Sequence, residues 1–91
     1  MLVLPSELTQ RQATACLREL MQGLRAEQAP AVVVDATALA VFDSAALAVL
    51  LECRRAALAQ QGRTFAVQGM PAALAGMAGL YGVDSLLAAA G

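Results

Sequence analysis

The run Val32-Val33-Val34-Asp35, a connection reaching Phe42, and then Asp43-Ser44-Ala45-Ala46-Leu47 decide how this chain folds. Three β-branched residues closed by a carboxylate describe the end of a buried parallel strand. Ala45 to Gln60 is rich in good helix formers. Asp43 or Ser44 at its start can accept hydrogen bonds from the first free backbone N–H groups, so a helix begins there. A serine hydroxyl is thereby delivered to the positive end of a helix. The same residues would serve as an ordinary cap, and local sequence leaves both readings open.

The flanking segments repeat the alternation. Leu2-Val3-Leu4, stopped by Pro5, is a brief strand, and Thr9 with Gln12 fits a capping box that opens a first helix. Ala13, Leu17, Leu20 and Leu24, joined by Cys16, form its buried stripe. Arg11, Arg18 and Arg25 recur on the opposite, solvated face. Ala31–Val34 is the second strand. Residues 45–61 form the second helix, closed by Gly62 just past its end. Thr64–Val67 is the third strand, and Pro71 takes the first position of a third helix. Leu74, Met77, Ala78 and Tyr81 give that helix one apolar side before Gly82 ends it. Asp84-Ser85 caps a last short turn through Leu87, and the Ala90-Gly91 tail frays.

Strands alternating with helices imply an α/β domain with a parallel sheet and right-handed crossovers. In open sheets of this kind function gathers at the carboxyl ends of the strands. The connections Pro5–Thr9, Ala36–Ser44 and Gln68–Pro71 lie along that edge, making Ser44, Ser6, Glu7 and Met70 expected neighbours. The second helix carries two apolar stripes, Leu47-Leu51-Leu58 and Ala46-Val49-Leu50-Cys53-Ala57, more than one sheet face hides. One packs on the sheet. The other is left for a neighbouring helix or for another protein.

Composition narrows the function. A chain of 91 residues makes one small domain with a single core. Its apolar fraction is 59%, above the ~45–50% of ordinary soluble domains. The excess is Ala, Leu and Val, so some apolar surface is expected outside, which suits a protein that lives against a partner. Net charge is −1, all six cations are arginine, and no basic stripe exists to neutralise a phosphate backbone. Nucleic-acid binding and a polybasic membrane helix are therefore not expected. There is no histidine, which removes the usual general base and the commonest metal ligand. Cys16 and Cys53 have no zinc or CxxC spacing and read as reduced, core-packed thiols of a cytosolic protein. No catalytic residue, metal or cofactor is expected. Nor is membrane insertion: the start of the chain is no signal peptide, and the uncharged stretch from Thr64 to Val83 is broken by Pro71 and four glycines.

Strand-Asp35, the connection, Phe42-Asp43-Ser44-Ala45-Ala46-Leu47 and the Leu-rich helix together resemble the STAS family, the sulfate-transporter and anti-sigma-factor-antagonist domains. The family pattern here is D-[ST]-[SATG]-G-[LVI]. Asp43, Ser44, Ala45 and Leu47 match it, while Ala46 stands in place of its glycine. Gly62, Phe65 to Val67 and Leu80-Tyr81 fall where the family places them. The resemblance spans about residues 1 to 88. It implies a single STAS domain over 1–91 with its core at about 2–88: a small, mainly parallel sheet with helices packed against it. STAS domains usually begin with an extra strand and hairpin, so that edge is expected to be shortened here. Leu47-Ala48-Val49-Leu50-Leu51, Val67-Gln68-Gly69 and Leu80-Tyr81-Gly82-Val83 are similar to the MlaB group, cytoplasmic STAS subunits of a phospholipid ABC transporter. That similarity implies a non-catalytic subunit that binds an MlaF-like ATPase subunit, in a complex with permease and lipid-binding subunits at the inner face of the inner membrane. The family's functional serine or threonine maps to Ser44, and the implied partner-binding residues are Asp43, Ser44, Ala45, Ala46, Val49 and Met70. The alternative is an anti-sigma-factor antagonist in which a kinase partner phosphorylates Ser44, since phosphate is welcome at a helix N-terminus yet blocks a partner surface.

Overall fold

A computed structural model describes residues 1–87. In chain order its strands are Leu2–Val3 (β1), Glu7–Leu8 (β2), Ala31–Asp35 (β3), Val41–Phe42 (β4) and Thr64–Gln68 (β5). Its helices are Ala13–Ala26 (α1), Ser44–Leu58 (α2) and Ala72–Leu80 (α3), followed by a 3-10 turn at Asp84–Leu87. β3 lies between β1 and β5, parallel to both, with Val34 opposite Leu2 on one side and Val67 on the other. The ladder continues past the strands: Leu4 N–H donates to the Asp35 carbonyl, and Ala36 N–H donates to that of Gln68. A strand paired on both edges has no water for its backbone, so it is built from residues that favour extended structure.

The order β1-β3-β5 advances in one direction. Right-handed crossovers therefore put α1 and α2 on the same face of the sheet, where they pack against each other. Val32, Val34 and Val67 point into that layer and are buried. Alternate positions Ala31, Val33, Ala66 and Gln68 remain exposed or half-buried on the other face. The core joins them to Leu4, Leu8, Leu20, Leu50 and Leu74, and among the described residues no polar or charged one is buried.

Several boundaries differ from the sequence reading for identifiable reasons. The connections after Pro5 and Ala36 each contain a two-residue strand, β2 and β4, which pair with each other in parallel. Strands this short show no alternation to detect; backbone groups fix them, the Ser6 carbonyl accepting from both Ala40 and Val41 N–H. Thr9 and Gln12 do bond, with Gln12 Oε1 accepting from Thr9 N–H at 2.9 Å and from its hydroxyl at 2.6 Å. Thr9 Oγ1 accepts from Arg11 N–H, so residues 9–12 close a separate turn and α1 is regular only from Ala13. α2 stops at Leu58, short of residue 61, and a turn reaches Gly62, whose φ is +82°. Pro71 is the extended residue before α3 rather than its first helical position. The expected fraying of Ala90-Gly91 lies outside the described residues.

Arg63 fastens the sheet to α1. Its guanidinium donates to the carbonyls of Leu24 (3.2 Å) and Glu27 (2.7 Å), at the helix end where carbonyls lack intrahelical partners, and to that of Ala29 (3.1 Å) in the linker beyond.

The Asp35 carboxylate, at the end of β3, accepts from the backbone N–H of Thr37 and from its hydroxyl. Those bonds favour the ionised form and hold its pKa below the ordinary carboxylate range. The stabilisation is thus fully present above the unfolded-chain value and is lost as pH falls through the lower folded value. Asp35→Asn should flatten the acid limb of the stability profile, measured by urea titration from neutral pH down through the carboxylate range. An unchanged acid limb would assign that pH dependence to other carboxylates such as Glu27, which is lowered by bonds from Ala29 N–H and the chain's terminal ammonium.

Candidate docking surface

The step from β4 into α2 is shaped by Asp43. Its backbone is extended (φ −131°, ψ −166°), and Oδ1 accepts from Ala45 N–H at 2.8 Å, satisfying one of the free donors of the first turn. Oδ2 accepts from Gln10 N–H at 3.1 Å, across 33 positions of sequence. Ser44 is the first helical residue. It is exposed, and its hydroxyl makes no hydrogen bond to the described residues.

Below Ser44 the two apolar stripes of α2 separate. Ala46, Val49, Leu50, Cys53 and Ala57 are all sealed in the core, and Leu47 joins them at 3% exposure. Leu51 is half-buried and Leu58 exposed, so the outward line is Ser44, Ala48, Leu51, Arg55, Leu58. These residues lie within a narrow arc at about 100° per residue.

Shallow recesses flank this line. One, of about 300 Å³, is bordered by Ser44, Leu47, Ala48, Leu51, Tyr81 and Val83, between α2 and the segment after α3. A second, of about 350 Å³, is bordered by Gln10, Asp43, Ser44, Ala45 and Ala48. A third, of about 170 Å³, runs between α1 and α2 past Leu17, Ala45, Ala48 and Val49. Ala48 borders all three and Ser44 two of them, so the first turn and a half of α2 forms a ridge with a hollow on each side.

The implied partner residues divide on this geometry. Asp43, Ser44 and Ala45 sit together on the ridge. Ala46 is 0% exposed, and Val49, at 3%, contributes only to the floor of the α1/α2 hollow. Their surroundings correct their role: both faces inward, they support the ridge from beneath. Met70 is half-buried against the core and borders neither hollow beside Ser44; Ser6 and Glu7 border neither as well. Ala48 stands one turn after Ser44 on the same face, as helical spacing places it. Gln10 is the residue that the sequence does not announce, because a backbone bond brings it there. Tyr81, expected on the buried side of α3, is 63% exposed. The helix has ended at Leu80, and Gly82, with φ +72°, turns the chain away.

No group of three ligating His, Cys, Asp or Glu side chains forms among the described residues. Burial pushes the Cys53 thiol up to about 11, with Cys16 adding to the rise, and burial raises Cys16 as well. Both thiols are free, protonated at neutral pH and poor nucleophiles.

The family model described as "Mlab, STAS domain" matches residues 1–88. The chain belongs to the STAS family. Among curated proteins, none matches it. The α/β architecture, with three helices and small parallel sheets, is that of a STAS domain. No described helix of this STAS domain is long and apolar enough to cross a membrane.

Proposed function

We propose that this STAS domain is a non-catalytic, cytoplasmic accessory subunit that binds the ATPase subunit of a phospholipid ABC transporter and supports its assembly and activity. The match to the MlaB-type family model over 88 residues carries this reading. The geometry supports it: an uncommitted hydroxyl stands at the head of an exposed ridge, beside a hollow lined by Leu51, Tyr81 and Val83. Small Ala45 and Ala48 let a second backbone approach closely, and Ser44 supplies one directional hydrogen bond. Leu58, Leu80, Tyr81 and Leu86 are large apolar side chains left exposed, and Tyr81 among them lines that hollow.

The test is co-purification with an MlaF-like ATPase subunit. Ser44→Glu places an unpaired charge at the contact and should weaken binding roughly tenfold or more. Circular dichroism and the melting temperature should stay near those of the native chain, because Asp43 rather than Ser44 caps α2. Equal recovery of ATPase by the variant would remove Ser44 from the interface.

The accessible hydroxyl also favours a second reading, an anti-sigma-factor antagonist switched by phosphorylation of Ser44. Incubation with a cognate kinase and ATP, read by intact mass, separates the two: a single added phosphate lost in Ser44→Ala supports the switch.

A further inference from the structure

We infer that Gln10 is a specificity-determining contact of the docking surface and that Asp43 acts there as a positioning residue, holding Gln10 beside Ser44. This rests on the reading that the Ser44 ridge meets a partner polypeptide.

Gln10 belongs to the turn between β2 and α1, yet it borders the same hollow as Ser44, Ala45 and Ala48. Its backbone is held on two sides. Its N–H donates to Asp43 Oδ2 at 3.1 Å, and the neighbouring Thr9 is tied to the Gln12 amide through both N–H and hydroxyl. Its side chain is free: exposed, and without a hydrogen bond to the described residues. Gln12 and Gln60 instead spend their side chains internally, Gln12 on Glu7 and Thr9, and Gln60 on Arg63. A fixed backbone spares the cost of ordering the loop on binding, leaving only that of the Gln10 side chain, and an amide is selective for direction. An amide that both donates and accepts fits a peptide group or an amide of the partner. Both Asp43 oxygens are already occupied by backbone donors. Its part is therefore to set the distance between two loops, and the hollow has no fixed cation to receive an anionic group.

The experiment measures binding of the full chain to an MlaF-like ATPase subunit by biolayer interferometry, with melting temperature followed in parallel. Gln10→Ala should weaken binding about three- to tenfold without changing the melting temperature. In Asp43→Asn the side-chain oxygen still caps Ala45, but the amide nitrogen cannot accept from Gln10 N–H. This variant should weaken binding by a similar factor and speed amide hydrogen exchange at Gln10 more than at Ala45. Added to Gln10→Ala, it should have no further effect. Native-like binding by Gln10→Ala, with Ser44→Glu still impaired, overturns the assignment of Gln10 while leaving the ridge in place. A full additional loss from Asp43→Asn in the Gln10→Ala background overturns the positioning role. Native-like binding by both Ser44→Glu and Gln10→Ala overturns the docking surface itself.

Discussion

Gly69→Val should lower the unfolding free energy by about 3–5 kcal/mol, a large share of the ~5–14 kcal/mol expected for a domain of this length. Gly69 joins β5 to α3 with φ +69°, a conformation that β-branched residues avoid. The space is also occupied. A Cβ there would stand 3.2 Å from the Thr37 Cα and closer still to the Thr37 hydroxyl, which is itself bonded to Asp35. Relief would require moving the segment that begins the β3–α2 connection. Gly62 provides the control, since its φ is +82° but nothing lies within 4 Å of the position a Cβ would take. Gly62→Ala should therefore cost only the backbone term, about 1–2 kcal/mol. Urea unfolding of both variants checks the contrast. Equal losses would mean that the contact between residues 37 and 69 contributes nothing.

Leu50→Ala should cost about 3–4 kcal/mol. Leu50 has no exposure and sits midway along α2, in the cluster shared with α1 and the inner face of the sheet. Removing its branched end leaves a cavity that neighbouring Leu, Val and Ala side chains fill poorly, because short side chains have few alternative rotamers. With about 4–8 °C lost per kcal/mol in a domain of this size, the melting temperature should fall by at least ~12 °C. Leu58→Ala, at a 42% exposed position of the same helix, should cost under about 1 kcal/mol. A comparable loss at both positions would contradict the division of α2 into a sealed and an outward side.

That division is where sequence and structure part company most usefully. The strands around Val32 to Val34 and Thr64 to Val67, and a cap at Asp43 or Ser44, were legible because each rests on local chemistry: β-branched runs, and a polar side chain before a helix. Two apolar stripes on α2 were also legible, but which one faces outward was not. Periodicity gives the angle between stripes and says nothing about where the sheet lies. The β2–β4 pair escaped because four backbone hydrogen-bonding residues carry no side-chain pattern. Ala46 and Val49 lie near Ser44 along the chain, but two and five steps along a helix turn a side chain about 160° and 140° away. Gln10 reached the ridge through a long-range bond from its own N–H, which no residue identity announces.

The grip of Arg63 on three carbonyls has a consequence for which cation can stand at that position. The carbonyls of Leu24, Glu27 and Ala29 come from the end of one helix and the linker leading into the central strand. A planar fork can hold all three in a fixed fan, whereas a lysine ammonium is a single mobile point at the end of a flexible stem. Exchanging one for the other would keep the charge and release the linker, so what this side chain contributes is shape.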